Sequence, residues 1–139
     1  QVHMYAPGQF THQFVHNAFG EQGSKADLIK YPGMIGSEKW DKEMIRKHLK
    51  PVRDFQLRHN ARIYVGEFSA IAWAPGAADY IRDCIDVFEE YGWDWTYHAF
   101  REWNGWSVEH TENPQDNEPA QTDTARKKVL LKYFKRNQR

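Results

Sequence analysis

The chain has 139 residues, with 19 Lys and Arg against 19 Asp and Glu, so its formal net charge is zero. A balanced charge lacks the positive field that binding to nucleic acid or to an anionic membrane needs, so neither partner is expected. Hydrophobic residues at 40% and charged residues at 27% are typical of a globular protein. The length allows one domain, but it is too short for a complete eight-stranded α/β barrel of about 250 residues.

The N-terminal third of the chain predicts a strand, a loop and a helix. Residues 1–7 alternate apolar and polar side chains until Pro7, which predicts a short strand. Gly8–Gly36 is rich in Gly, Gln, His and Asn without periodicity, which predicts a long loop that is either functional or disordered. Ser37 then stands at an N-cap position, and helical spacing of apolar side chains predicts a helix that is kinked or split at Pro51.

The rest of the chain continues the alternation of strands and helices. A second strand is predicted at Arg62–Phe68, where Gly66 indicates a bulge or a close backbone approach. A helix at Ala77–Tyr91, a strand at Trp93–Phe100, a polar loop and a helix at about Asp123–Asn137 follow. This order predicts an α/β fold in which helices cover a sheet of parallel strands.

Ligands of such sheets gather beyond the carboxyl ends of the strands. The polar residues predicted at those ends are His3, Tyr5, Glu67, His98, Arg101 and Glu102. Glu67 follows an apolar run, where a carboxylate is either functional or paired with an arginine as a buried strut. His3 and Tyr5 are two residues apart and share one face of a strand, so they either enter one site or form a pair in the core.

Four of the six tryptophans lie within 14 positions, in and after the third predicted strand: Trp93, Trp95, Trp103 and Trp106. Indole faces match the apolar faces of sugar rings, but they also stack on bases and pack in cores. Trp103 and Trp106 flank Asn104 and Gly105 in a predicted loop, which favours a ligand role for at least one of them. Trp93 is expected in the core. His12 and His16 have the spacing of metal ligands on a helix, but no third ligand follows, so no metal site is expected.

Three short motifs together resemble glycoside hydrolase family 5, the cellulase-like (β/α)8 barrels. They are His3-Met4-Tyr5, Val65-Gly66-Glu67-Phe68 and Trp95-Thr96-Tyr97-His98. The resemblance implies a partial TIM barrel, with strands six to eight and their helices in parallel order. Residues 1–139 would form one incomplete unit, the C-terminal half of the catalytic domain. It also implies retaining hydrolysis of a β-linked oligo- or polysaccharide without a cofactor, and a secreted or periplasmic location.

The resemblance implies a role for each predicted site residue. Glu67 takes the place of the nucleophile, Tyr5 donates a hydrogen bond to it, and His3 binds the sugar at the cleavage point. A hydrogen bond from Tyr5 would keep Glu67 ionised and oriented. Retention needs a second carboxyl group roughly 5 Å from the nucleophile, which acts as acid and then as base. Substrate binding is also expected from five further residues, His98, Arg101, Glu102, Trp103 and Trp106.

Two features depart from the family pattern. His98 stands where many relatives carry a tryptophan that stacks on the sugar, so Trp103 is expected to replace that platform. The acid/base Glu should lie in an Asn-Glu pair before His3, where this chain has none. Asn117-Glu118 matches the pair but lies in a polar loop after no strand, and it is interpreted as a coincidence.

The missing acid/base residue predicts an N-terminal half as a partner, or self-association that covers two open sheet edges. A non-catalytic carbohydrate-binding module remains an alternative, as does a structural half-barrel without a ligand. The sequence leaves open whether the sugar is a glucan, a xyloglucan or a mannan, and whether cleavage is internal or terminal.

Overall fold

The computed structural model describes residues 1–16 and 28–137. In chain order its elements are β1 (Val2–Met4), α1 (Gly8–Thr11), β2 (Gly33–Ile35), β3 (Glu38–Trp40), α2 (Lys42–His59), β4 (Tyr64–Phe68), α3 (Ala77–Tyr91), β5 (Asp94–Trp95), α4 (Ala125–Phe134) and a final 3₁₀ turn (Lys135–Asn137). Strands β1, β4 and β5 form a parallel sheet in that spatial order. The predicted α/β fold with parallel strands is confirmed.

Helix α3 is the centre of the hydrophobic core. It packs against α2 on one side and α4 on the other, and its apolar stripe at helical spacing is completely buried. The stripe comprises Tyr80, Ile81, Cys84, Ile85 and Phe88. Gly92 ends the helix in the left-handed conformation, with φ of +67°, as a C-terminal glycine does. Trp93 is 3% exposed, so its predicted place in the core is confirmed.

The β1–β4 pair contains the bulge that Gly66 predicted. Val2 pairs with Val65 and His3 pairs with Glu67, so Gly66 is an extra residue on β4. A Cβ atom at Gly66 would also lie 2.1 Å from Gln1 Nε2, so the Gln1 side chain packs directly against this glycine. The bulge sets the register that places Glu67 directly beside His3.

The predicted helix start at Ser37 is wrong. Glu38–Trp40 is a strand that pairs with Gly33–Ile35 in an antiparallel hairpin, and Gly36 turns the chain with φ of +62°. The helix begins at Lys42 instead, because the Asp41 carboxylate accepts hydrogen bonds from the backbone N–H groups of residues 43 and 44. The hydrophobic spacing identified the helix, but it did not separate the strand from it.

Three further predictions need correction. Helix α2 continues through Pro51 to His59, so it is not split there. Gly8–Gly36 is not one loop, since α1 and β2 lie within it; residues 17–27 of this prediction lie outside the described residues. The third strand of the main sheet is limited to Asp94–Trp95, although the backbone N–H of Thr96 and that of His98 still donate to β4 carbonyls.

One carboxylate connects three helices, which gives a test of how the helical layer is stabilised. Asp86 on α3 accepts a hydrogen bond from Lys42 Nζ of α2 at 2.6 Å and another from the Tyr133 hydroxyl of α4. Burial acts to raise the pKa of Asp86, but the hydrogen bonds from Lys42 and Tyr133 prevail and hold it below its ordinary value of 3.8.

We expect Asp86→Asn to lower the free energy of unfolding by about 1–2 kcal/mol at neutral pH. Because the folded-state pKa is depressed, this contribution is present above the ordinary Asp pKa and is lost as pH falls through the folded value. Urea unfolding of both proteins at neutral and strongly acidic pH measures it. The control is Asp54→Asn, which removes an exposed pair with Lys50 within α2. Equal effects of the two variants at neutral pH would contradict the proposed link.

The sheet has free edges at β1 and β5 among the described residues, since each of these strands pairs with β4 alone. Aromatic side chains stand near the β5 edge, where Phe100 is 78% exposed and Phe134 stacks on Trp95. Within residues 1–16 and 28–137, no helix combines the length and the apolar character needed to cross a membrane.

Candidate functional site

The candidate site lies where β1 and β4 end side by side. His3 and Glu67 are paired in register across the two parallel strands, so both side chains leave the same face of the sheet. The Tyr5 hydroxyl donates a hydrogen bond to Glu67 Oε2, with 3.0 Å between the oxygens. His3 Nδ1 lies 3.6 Å from the same Glu67 oxygen. The structure therefore brings together the three residues that the sequence placed at one site.

The surroundings of Tyr5 maintain it as a hydrogen-bond donor. Burial of the phenol and its hydrogen bond to Glu67 raise the pKa of Tyr5 well above its ordinary value, and the Glu102 carboxylate acts in the same direction. Tyr5 is therefore protonated at neutral pH. The Glu67 side chain remains 38% exposed, and its single ion-pair contact in the described part of the chain is with His3. This geometry argues against a strut formed by Glu67 and an arginine.

Trp106 is the centre of an aromatic group beside Tyr5. Its ring centroid lies between 5.1 and 6.3 Å from those of four neighbours, which are Tyr5, His12, His98 and Trp103. Trp103 is 36% exposed and packs edge-on against Trp73. Both tryptophans for which the sequence predicts a ligand role therefore lie in contact with the surroundings of Glu67.

The remaining predicted residues differ in their placement. His98 Nε2 lies 3.4 Å from Glu102 Oε2. Both residues lie near the aromatic group, because the His98 ring is 6.2 Å from that of Trp106 and the Glu102 carboxylate contributes to the raised pKa of Tyr5. Arg101 forms an ion pair with Glu109, and its guanidinium lies over the Phe100 ring. Sugar binding by Arg101 stays a prediction that these contacts do not support.

His12 belongs to the site although the sequence analysis considered it only as a metal ligand. Its ring meets Tyr5 edge to face at 5.0 Å, and its Nδ1 lies 2.9 Å from the Thr11 hydroxyl. Burial lowers the pKa of His12, which favours the neutral imidazole. Thr11 is completely buried and donates to the Tyr5 carbonyl at 2.6 Å. The polar Thr11-His12 pair, shortly after β1 and Tyr5, was the signal that could have identified both residues.

Comparison with curated proteins finds endoglucanases. Endoglucanase C of Acetivibrio thermocellus is 30% identical over an alignment that covers 68% of this chain and 34% of the relative. Endoglucanase C307 of Clostridium sp. strain F1 matches to the same extent. The chain therefore spans about a third of the length of the curated relatives that it matches. No family model matches the chain.

Solved structures with the same fold are glycoside hydrolases. A hyperthermophilic endo-β-1,4-glucanase in complex with substrate superposes with a TM-score of 0.62 and 24% identity, covering 94% of this chain and 38% of the other. Cel5A of Thermotoga maritima in complex with cellobiose gives a TM-score of 0.63 and 20% identity, covering 93% and 38%. The chain is a partial domain similar to glycoside hydrolase family 5. At sequence identities of 24% and 20%, these superpositions establish the fold of the domain alone.

The chemistry available in the family 5-like domain is that of a carboxylate next to a neutral phenol. A carboxylate that is partly open to solvent can attack an electrophilic carbon or accept a proton. A metal centre would require a cluster of ligands, and residues 1–16 and 28–137 contain no group of three His, Cys, Asp or Glu side chains placed to hold one. The aromatic group adds flat apolar surface next to this carboxylate, which suits a ring with one apolar face.

Proposed function

We propose that this domain is the nucleophile-bearing part of a retaining β-glycosidase of the endo-β-glucanase type. The observation that carries the proposal is the hydrogen bond from Tyr5 to a solvent-accessible Glu67. A nucleophilic carboxylate has to be oriented and reachable by the sugar, and a neutral phenol that donates to it orients it. The endoglucanases among the relatives support the type of reaction.

In the proposed mechanism Glu67 attacks the anomeric carbon and forms a glycosyl ester while the glycosidic bond breaks. The leaving oxygen takes a proton from a second carboxylic acid. That group then accepts a proton from water as the water attacks the ester, which releases the sugar with retained configuration and restores Glu67. Tyr5 holds the carboxylate through both steps, and His3 lies beside it where it can bind a hydroxyl of the sugar at the cleavage point.

We infer that the acid/base residue belongs to a part of the barrel outside residues 1–139. The domain would correspond to strands six to eight of the barrel, with residues 1–139 as one incomplete unit. Glu118 is exposed in the loop after Thr111 and lies among other residues of that loop, which supports its interpretation as a coincidental motif. The free edges at β1 and β5 suit pairing with an N-terminal half or self-association.

The proposed substrate is a β-linked oligo- or polysaccharide. Trp106 lies beside Tyr5 and Trp103 lies beside Trp106, so both offer indole surface near the candidate site, and one neighbour with the same fold is described in complex with cellobiose. A polymeric substrate of this kind is met outside the cell, so a secreted or periplasmic location belongs to the same proposal. His98 stands where many relatives have a tryptophan. Its smaller ring would offer less surface for stacking on the sugar, so more of the stacking would fall to Trp103.

Mixing experiments test this function directly. The domain is combined with the N-terminal part of endoglucanase C, and the release of reducing sugar from soluble β-glucan is measured; we call this mixture the complemented enzyme. Hydrolysis that needs both parts supports the proposal. Sugar binding by the domain without turnover in the mixture would favour a carbohydrate-binding module instead. Flat spectra in a titration of the domain with cello-oligosaccharides would favour a structural half-barrel.

Gly105→Ala tests the platform. A Cβ atom at Gly105 would lie 2.4 and 2.5 Å from two ring atoms of Trp103, while the Gly105 carbonyl is fixed by a hydrogen bond from the Ala72 N–H at 2.8 Å. The ring has to move, and we expect cello-oligosaccharide affinity to fall about tenfold, measured by tryptophan fluorescence. Gly8→Ala, where no atom lies within 4 Å of the added methyl group, is the control. Unchanged affinity in Gly105→Ala would exclude Trp103 as the platform.

A further inference from the structure

A chain of hydroxyl groups connects the strand that carries Glu67 to the aromatic group. Ser69, completely buried two residues after Glu67, donates to the Tyr97 hydroxyl at 2.9 Å. The Tyr97 hydroxyl in turn donates to the backbone carbonyl of Trp106 at 2.8 Å. Tyr97 follows β5, so its hydroxyl joins the ends of two neighbouring strands to the loop between β5 and α4.

A buried cation, Arg126, lies near this chain of hydroxyl groups. Arg126 at the start of α4 is 3% exposed, donates from Nη2 to the His110 carbonyl at 2.9 Å, and has no carboxylate within 4.0 Å among the described residues. Burial raises the pKa of Tyr97, and the nearby Arg126 guanidinium opposes that rise. A cation beside a phenol withdraws electrons from its oxygen, which strengthens the O–H as a donor to Trp106.

A buried arginine without a carboxylate partner destabilises the folded state, so its retention near Tyr97 calls for a compensating role in function or in packing. The group that receives the polarised hydrogen bond is the backbone of Trp106, whose ring lies 6.3 Å from Tyr5 and 5.1 Å from His12. A shift of this backbone therefore moves the central ring of the aromatic group relative to the donor of the Glu67 hydrogen bond.

We propose that Tyr97 is a positioning residue that fixes Trp106 beside Tyr5, and that it thereby sets the affinity of the site for sugar. Ser69 holds the Tyr97 hydroxyl in place from the end of β4 by donating a hydrogen bond to it. The part of this inference that concerns sugar rests on the proposed function, whereas the part that concerns the Trp106 ring does not. The experiment therefore has one readout without ligand and one with ligand.

The test is Tyr97→Phe in the full chain, which keeps the ring and removes the hydroxyl. The matched control is Tyr64→Phe, whose hydroxyl contacts Thr96 in the same sheet, away from the Trp106 carbonyl. Without ligand, Tyr97→Phe should move the indole N–H resonance of Trp106 and leave that of Trp40 unchanged. With cellotetraose, we expect about a five- to tenfold weaker affinity, the loss that one hydrogen bond represents. The control should match the unaltered protein in both readouts.

Each outcome decides one part of the proposal. An unmoved Trp106 resonance in Tyr97→Phe would overturn the positioning role, and a moved resonance with unchanged affinity would overturn its link to sugar binding. Absence of cellotetraose binding to the unaltered protein would count against the proposed function, while the resonance would still judge the positioning role. If Tyr97→Phe does not fold, the test uses Ser69→Ala, which removes only the hydroxyl that donates to Tyr97. This variant should move the indole N–H resonance of Trp106 in the same direction by a smaller amount. An unmoved resonance would again overturn the proposal.

Discussion

Glu67→Gln is expected to reduce hydrolysis by the complemented enzyme about 10³-fold or more, because a carboxamide cannot form the glycosyl ester. The substitution preserves the shape of the side chain and leaves an oxygen to accept the hydrogen bond from Tyr5. Folding and sugar binding should therefore persist. Initial rates on soluble β-glucan, together with cellotetraose affinity, separate the loss of chemistry from the loss of binding.

Glu118→Gln is the control for this prediction, because Glu118 lies in the Asn-Glu pair that resembles an acid/base motif. Its exposed side chain in the loop after Thr111 should be dispensable, so the activity of this variant should equal that of the unaltered protein. Loss of hydrolysis in Glu118→Gln would assign the acid/base role to this chain. Unchanged hydrolysis in Glu67→Gln would remove Glu67 from the mechanism.

Tyr5→Phe should lower kcat about 10- to 100-fold while KM changes little. The hydroxyl contributes a hydrogen bond to a charged group, and such bonds contribute about 1.5–3 kcal/mol. Its removal leaves the phenyl ring in contact with His12 and Trp106, so the aromatic group stays in place. Steady-state kinetics of the complemented enzyme on a soluble cello-oligosaccharide measure both constants.

Tyr64→Phe is the matched control for Tyr5→Phe, since it removes a hydroxyl of the same sheet that contacts Thr96 and does not donate to the Glu67 carboxylate. We expect unaltered kinetics in this variant. A rise in KM without a change in kcat in Tyr5→Phe would instead indicate that the hydroxyl binds substrate and does not hold the nucleophile.

The sequence predicted the centre of the site because local patterns determine it. His3 and Tyr5 alternate along one strand, and the apolar run before Glu67 identifies the end of another. Parallel strands then bring these ends to the same edge of the sheet. The bulge at Gly66 decides the register that pairs Glu67 with His3, and the glycine indicated it in advance.

Two kinds of feature were predicted less well: segments whose residues fit a helix and a strand equally, and contacts between residues that are distant in the sequence. The hairpin that contains Ser37 was assigned to a helix because Trp40 fits the helical spacing as well as it fits a strand. His12 was judged by its spacing to His16, whereas its position depends on how the chain after Pro7 folds back on Tyr5. The hydrogen bonds from Tyr97 to Trp106 and from Arg126 to His110 join the ends of the loop between β5 and α4 to its interior, and no sequence pattern of short range contains them.

The most direct test of the central claim is to trap the glycosyl ester. A cellobioside that carries fluorine at the sugar carbon next to the anomeric centre and a dinitrophenolate leaving group reacts without an acid, since dinitrophenolate departs unprotonated. The fluorine slows hydrolysis of the ester, because both steps pass through a transition state like an oxocarbenium ion. The complemented enzyme is labelled, digested with trypsin and analysed by mass spectrometry. We predict one fluorocellobiosyl group on the peptide of residues 63–82, at Glu67 and not at Asp79. A label on any other residue, or no label on a mixture that hydrolyses β-glucan, would contradict Glu67 as the nucleophile.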